Sequence, residues 1–318
     1  MEQRKLNRGY GLAFLSALTL AWTGIFISYL TRTYGIPALV LAYWREVFVV
    51  FTLLVALGVF RLAPLKVSRR QLGFLVLYGV ALAVFNSLWT LAVSLSGAAV
   101  ATVLVYSSGA FTAILGWMIF RERLDAVKIA AVVLCLAGCV LVSGAADPSA
   151  WAVNALGIVT GILSGLLYAV YSLMGRGAAE RKINPWTTIF YTFGFASFIL
   201  LALNLLPLSF IPGRAALPAD MFWLGTQWKG WGILFLLAAG PTVLGFGTYT
   251  MSLVHLPSSV ANLIVTLEPV FTTLIAYLLL GEVMTGIQFI GSGLILLGVL
   301  FMRLQARWLE RKAAGAIA

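Results

Sequence analysis

Three ionisable side chains occupy positions where ionisable side chains are costly. Arg45 and Glu46 lie inside an apolar run over residues 38–60, and Glu268 lies near the middle of another over residues 259–280. A charge at the centre of a bilayer costs about 3 kcal/mol on insertion scales, so such residues mark solute paths, proton relays or internal ion pairs. Neighbours on a helix point about 100° apart. Arg45 and Glu46 therefore cannot both face one cavity, and Arg45 is expected to face inward. There it would bind a substrate carboxylate, neutralise Glu268 or form a static ion pair. Glu268 precedes Pro269. Proline removes a backbone donor and frees the carbonyl one turn earlier, near Val265, leaving polar backbone that must face protein or water. Glu268 would accept an amino group, take up a proton as a cavity opens and closes, or be held by helix–helix hydrogen bonds. Glu46 is the other proton-coupling candidate. His255 falls in a short link, a poor place for a proton carrier.

A second set of polar and aromatic residues lies at similar depth. Tyr78, Asn86 and Trp89 fall near one face of the third apolar run, at steps of eight and three. Trp22 is in the first run, Tyr106 and Ser107 in the fourth, Tyr168 and Tyr171 in the sixth, Tyr249 in the eighth and Asn262 in the ninth. A cavity for a flat apolar metabolite would want aromatic walls with a few hydroxyl or amide groups. Core packing accounts for these aromatics equally well, and Tyr10, Trp151, Trp186, Trp228 and Trp231 read better as interfacial belts. Cys135 and Cys139 sit one helical turn apart with no His or acid beside them, so they read as small packing residues. No metal or cofactor is expected. No G-x-x-x-x-G-K-[ST] loop is present to drive a process with ATP.

The elements that must position these residues are ten apolar runs, over 9–30, 38–60, 72–94, 98–120, 126–144, 156–175, 186–206, 231–253, 259–280 and 285–302. About 20 apolar residues span hydrocarbon as a helix. The chain is 62% hydrophobic and only 10% charged, which excludes a soluble domain. The first run is too long for a cleavable signal and has no clear small-residue site after it, so a retained helix is expected. The net charge of +11 is distributed as a membrane topology rather than as a nucleic-acid patch. With Arg45 inside a run and only Arg32, Arg214 and Lys229 in the odd-numbered links, the other 17 of the 21 basic residues fall in the two tails and the even-numbered links. Positive residues stay cytoplasmic, so both termini are expected there.

The chain also repeats itself. A shift of 160 places Val100-Ala101 on Val260-Ala261, Val105 on Val265, Phe111-Thr112 on Phe271-Thr272, Glu122 on Glu282 and Gly138 on Gly298. A shift of 148 places Gly9 on Gly157, Ser16 on Ser164, Pro37 on Pro185 and Tyr43 on Tyr191. Two units follow, 1–147 and 148–318. Each holds five spans, an odd number, so the second enters the membrane from the opposite side. The fold class expected is an all-α polytopic membrane protein: ten transmembrane helices as two inverted five-helix repeats around a central cavity. Exchanging the conformations of such halves turns an outward-open cavity inward, which is alternating access. The halves differ chemically, for Ser108-Gly109 stands where the second repeat has Glu268-Pro269. Gly157, Gly161 and Gly165 form a stripe suited to close helix packing. Gly240-Pro241, with Gly245 and Gly247, reads as a flexible or broken segment of the eighth span.

The stretch Ser258-Ser259-Val260-Ala261-Asn262-Leu263, continuing through Leu267-Glu268-Pro269-Val270-Phe271 to Leu280-Gly281-Glu282, resembles the closing half of the EamA-type repeat of the drug/metabolite transporter superfamily. Ala21-Trp22-Thr23-Gly24 and Tyr43-Trp44-Arg45-Glu46 resemble its opening. The resemblance implies ten helices, inverted halves and a central cavity, and within the superfamily it is nearest to bacterial amino acid exporters, the aromatic amino acid exporter in particular. The expected function is a non-enzymatic secondary transporter in the bacterial inner membrane, exporting amino acids or related metabolites. A broader drug or nucleotide-sugar carrier is the alternative within the fold. An intramembrane enzyme would need a nucleophile–base pair or metal ligands at depth, and none is visible. The expected partners are a small-molecule substrate and the lipid bilayer. Nucleic acid is not expected, and a monomer is the simplest state.

Overall fold

The computed structural model describes residues 2–60, 65–143, 145, 147–148, 155–206, 211–280 and 285–315. Trp151, Gly281 and Glu282, named above, lie outside them. Twelve helices are described: α1 (Glu2–Tyr34), α2 (Ala38–Phe60), α3 (Arg69–Tyr106), α4 (Ser108–Phe120), α5 (Ala126–Val142), α6 (Ala155–Glu180), α7 (Pro185–Leu205), α8 (Trp228–Leu237), α9 (Val243–Ser252), α10 (Ser258–Val265), α11 (Glu268–Leu280) and α12 (Gly286–Gly315). No strand occurs among the described residues.

Local chemistry sets several boundaries. Gly35 ends α1 at φ +61°, a conformation open to glycine at no steric cost. Ser68 and Gln71 cap the start of α3 reciprocally, Asp125 accepts from the Lys128 N–H at the start of α5, and Asn184 caps α7 ahead of Pro185. In the long link after α7, residues Pro218–Phe222 form a 3₁₀ turn.

Nine stretches among the described residues are long and apolar enough to cross a membrane, and α5, at 17 residues, is shorter. At 1.5 Å per residue α5 still covers about 26 Å, close to the hydrocarbon thickness. The chain is a multi-pass membrane protein. Several passes do not coincide with single helices. Helix α3 holds the third pass and the first part of the fourth, whose apolar stretches are Arg69–Ser96 and Val100–Phe120; Phe74 and Phe120 both lie beside Gly177. The eighth pass is α8 and α9 joined by a π-helical segment, Ala238–Thr242, around Pro241. The irregularity falls at Gly240-Pro241, where a flexible or broken segment is expected; the pass stays helical through it.

The fourth and ninth passes are broken at equivalent places. In the ninth, α10 stops after Val265 and α11 starts at Glu268, as the missing N–H of Pro269 predicts. In the fourth, a break at Ser107 separates α3 from α4, although no proline is present. No residue in the apolar run over 98–120 announces this break. Both breaks tighten into a 3₁₀-like turn, with Ser107 N–H reaching Leu104 O at 3.2 Å and Leu267 N–H reaching Ile264 O at 3.1 Å.

Packing follows the duplication. Helix α6 packs on α3 and α4, and α1 packs on α9, α10 and α11; α2 faces α7, and α5 faces α12. The first helix of each repeat therefore lies against the third and fourth passes of the other. Small residues permit this approach. A Cβ at Gly157 would meet Ser96, at Gly161 Leu104, and at Gly165 the carbonyls of Leu104 and Val105. The 148-residue shift places Gly9, Ala13 and Ala17 at the same positions of α1, and all three are buried. Between α5 and α12, Gly138 and Gly291 bring the backbones together, while Gly298 meets Cys135. Both cysteines are free and buried.

Candidate functional site

The two broken passes meet at the middle of the bundle. Ser108 Oγ on α4 donates to Asn262 Oδ1 on α10 at 3.1 Å, and Tyr106 Oη on α3 donates to Glu268 Oε2 on α11 at 2.6 Å. Beside this crossing lies a narrow cavity of about 50 Å³, lined by Leu20, Thr23, Arg45, Phe85, Asn86, Trp89, Val105, Tyr106, Tyr168, Phe246 and Glu268. Six helices contribute: α1, α2, α3, α6, α9 and α11.

Arg45 faces the cavity and is 2% exposed. Its Nη2 lies 3.2 Å from Glu46 Oε1, a pair formed between sequence neighbours. Glu46 turns away from the cavity toward α3, where Asn86 Nδ2 donates to the same Oε1 at 2.5 Å. Arg45 Nε and Glu46 Oε2 have no hydrogen-bond partner among the described residues. Burial of such a pair is costly unless the remaining donors and acceptors are met. The Arg45–Glu46–Asn86 clasp joins α2 to α3 and fixes the guanidinium at the cavity wall. Glu268 is bound by Tyr106 and has no ion pair among those described, so Arg45 does not neutralise it.

The aromatic wall is ordered by stacking. Phe85 and Tyr168 stack with centroids 5.1 Å apart, and Tyr168 stacks on Tyr249 at 5.8 Å. Of the residues singled out in the sequence, Arg45, Asn86, Trp89, Tyr106, Tyr168 and Glu268 line the cavity, and the others stand back from it. Tyr249 Oη donates to Ser172 Oγ at 2.6 Å, and Asn262 Nδ2 reaches the same oxygen at 3.2 Å, a network behind Tyr168. Tyr78 and Tyr171 pack together at 4.8 Å in that region. Ser107 returns its hydroxyl to Leu104 O at the helix break. Trp22 is half-buried outside the cavity, while its neighbour Thr23, about 100° round the helix, lines it.

Sequence reasoning missed Leu20, Thr23, Phe85, Val105 and Phe246. The repeat carried a signal for one of them, because the 148-residue shift places Leu20 on Tyr168. The same shifts show how one scaffold carries asymmetric chemistry: Arg45 corresponds to Phe193, and Glu268 to Ser108.

At the end of the bundle rich in Arg and Lys, the start of α10 is clamped. Glu122, just beyond α4, accepts from Ser258 N–H at 2.9 Å and Ser258 Oγ at 2.6 Å, from Ser259 N–H at 3.3 Å, and from Ser259 Oγ. Lys128 Nζ donates to Ser259 Oγ at 3.0 Å and lies 3.9 Å from Glu122. At the same end, partial burial and the nearby Arg8 and Lys5 hold His255 below the ordinary histidine value.

Family models place this architecture. The EamA-like transporter family matches residues 7–144 and 155–304, most of the chain in two segments. The chain belongs to the EamA-like transporter family. Among its relatives, an uncharacterized transporter of Archaeoglobus fulgidus is 30% identical over 69% of this chain and 73% of that protein. The uncharacterized transporter YwfM of Bacillus subtilis is 25% identical over 76% of this chain and 75% of that protein. A solved crystal structure, 17% identical, superimposes with a TM-score of 0.72 over 95% of this chain and 98% of its own, a likeness of fold. Family and relatives fit a transporter rather than an enzyme.

Proposed function

We propose that this protein is a secondary transporter that exports amino acids, aromatic ones foremost, across the bacterial cytoplasmic membrane by alternating access, with both termini in the cytoplasm. One observation carries the reading. A cavity at the crossing of the two repeats offers a cation, Arg45, and an acid, Glu268, on different helices and not paired with each other, between walls of Phe85, Trp89, Tyr168 and Phe246. A zwitterion with a flat apolar side chain matches this set: carboxylate to Arg45, ammonium to Glu268, ring to the aromatic wall. A nucleotide sugar, with its two phosphates, matches it less well, because Arg45 is the one cation among the described lining residues.

The breaks beside the cavity supply places for movement, and the Glu122 clamp ties the start of α10 to the end of α4. The narrow central space belongs to a contracted state, and rocking of the halves would widen it toward one side at a time. Uptake of labelled phenylalanine, tyrosine and tryptophan into proteoliposomes, with and without a pH gradient, tests the reading. Saturable uptake of these amino acids while sugars and organic cations stay behind supports it; indifference to every amino acid refutes the substrate class. Gradient dependence that disappears in Glu268→Gln assigns the proton to Glu268, whereas unchanged dependence removes it from that role.

A further inference from the structure

We infer that the hydroxyl of Thr23 and the Nε–H of Arg45 together form a carboxylate subsite in the central cavity, a deepening that rests on the amino acid reading above. Both residues line the cavity, on α1 and α2, and both are buried, at 8% and 2% exposure. Thr23 Oγ1 and Arg45 Nε find no hydrogen-bond partner among the described residues. Buried polar groups in native proteins are nearly always satisfied, so two orphans on one cavity need an explanation. An anionic ligand provides it: each is a donor, and hydrogen bonds to a carboxylate are charge-assisted.

Thr23 also departs from the habit of this chain. Thr19, Thr52, Thr90 and Thr112 return their hydroxyls to the carbonyl one turn back, at 2.6–2.7 Å. Thr23 does not spend its hydroxyl in that way. Arg45 is committed to Glu46 through Nη2, which leaves Nε as an unsatisfied donor. The position of Thr23 is set from the other repeat. Thr272 Oγ1, one turn beyond Glu268, donates to Ala21 O on α1 at 3.0 Å, so Thr23 and Glu268 are held in register. The carboxylate end and the ammonium end of one ligand thus have separate, mutually fixed receptors.

Three ligands separate the contributions: L-phenylalanine, phenethylamine (which lacks the carboxylate) and 3-phenylpropionate (which lacks the amine). Titration calorimetry on the purified full-length protein would compare wild type, Thr23→Val and Thr23→Ser, each checked for an unchanged melting profile. Losing a hydrogen bond to a charged group corresponds to a loss of about 10- to 100-fold in affinity. Thr23→Val should lose that much for phenylalanine and phenylpropionate, keep phenethylamine within about twofold, and Thr23→Ser should recover most of the loss. Wild-type binding of phenylalanine with an indifferent Thr23→Val, or equal losses for all three ligands, overturns the carboxylate subsite while leaving the amino acid reading standing. Wild type that binds none of the three overturns both.

Discussion

Replacing Glu46 by leucine isolates a buried guanidinium. Glu46 is fully buried and Arg45 is 2% exposed, and a single oxygen, Glu46 Oε1, takes both Arg45 Nη2 at 3.2 Å and Asn86 Nδ2 at 2.5 Å. Leucine leaves both donors without that acceptor. Stranding a buried charge costs about 3–5 kcal/mol and an unpaired amide about 1–3 kcal/mol, and the two losses overlap because the groups are coupled. A loss of about 4 kcal/mol follows, which at about 2 °C per kcal/mol lowers the melting temperature by about 8 °C. The double variant Arg45→Met/Glu46→Leu removes both charges and should recover all but the amide contribution, since apolar replacements of buried pairs are often neutral. The chain carries its own reporter: Cys135 and Cys139 are free and fully buried, so a fluorogenic thiol reagent in detergent reads unfolding directly. Equal melting of Glu46→Leu and wild type, or a double variant no more stable than the single, would show that Glu46 does not compensate the buried guanidinium. The double variant should also fold without transporting, because it removes the cavity's guanidinium.

Other positions give independent tests. A Cβ at Gly138 would lie on Gly291 O and Ile295, so Gly138→Val should cost about 1–3 kcal/mol in the same melt, whereas Gly293→Val, with open space around it, should not. Glu122→Gln weakens the cap that receives the Ser258 and Ser259 donors, and a loss of about 1–2 kcal/mol is expected; an unchanged melt would show that the clamp adds nothing. Burial, together with Arg8 and Lys5, depresses the His255 pKa and so favours the neutral ring. His255→Gln should therefore leave initial transport rates unchanged from about pH 7 to 8, and a step lost from that profile would contradict the assignment.

Much of the architecture was legible because lipid leaves few choices: apolar length sets the passes, and the constant offsets of 148 and 160 set the repeat. The break at Glu268-Pro269 was legible for the same reason, since proline cannot complete the helix. Its partner at Ser107 was not, because no local residue demands it. There the carbonyls of Leu104 and Val105 approach Gly165 of α6, a tertiary contact invisible in one segment's sequence. The site was legible where charge cost made it so, at Arg45 and Glu268. It was hidden where rotation decides. Trp22 and Thr23 are neighbours, and only packing shows that the smaller one faces the cavity. Tyr78, Tyr171 and Tyr249 carry the same signature as Tyr168, yet they pack behind it.

If the space where the two repeats cross is a solute path opened to one side at a time, its lining must be reachable from each face in turn. Val105 lines that space and is 6% exposed. In a Cys135→Ala/Cys139→Ala background, Val105→Cys can be probed in oriented membrane vesicles with an impermeant thiol reagent applied from either face. Labelling from each face separately, with phenylalanine slowing both reactions, is the predicted result. Labelling from neither face under any condition, or equal and substrate-insensitive labelling from both, would contradict it.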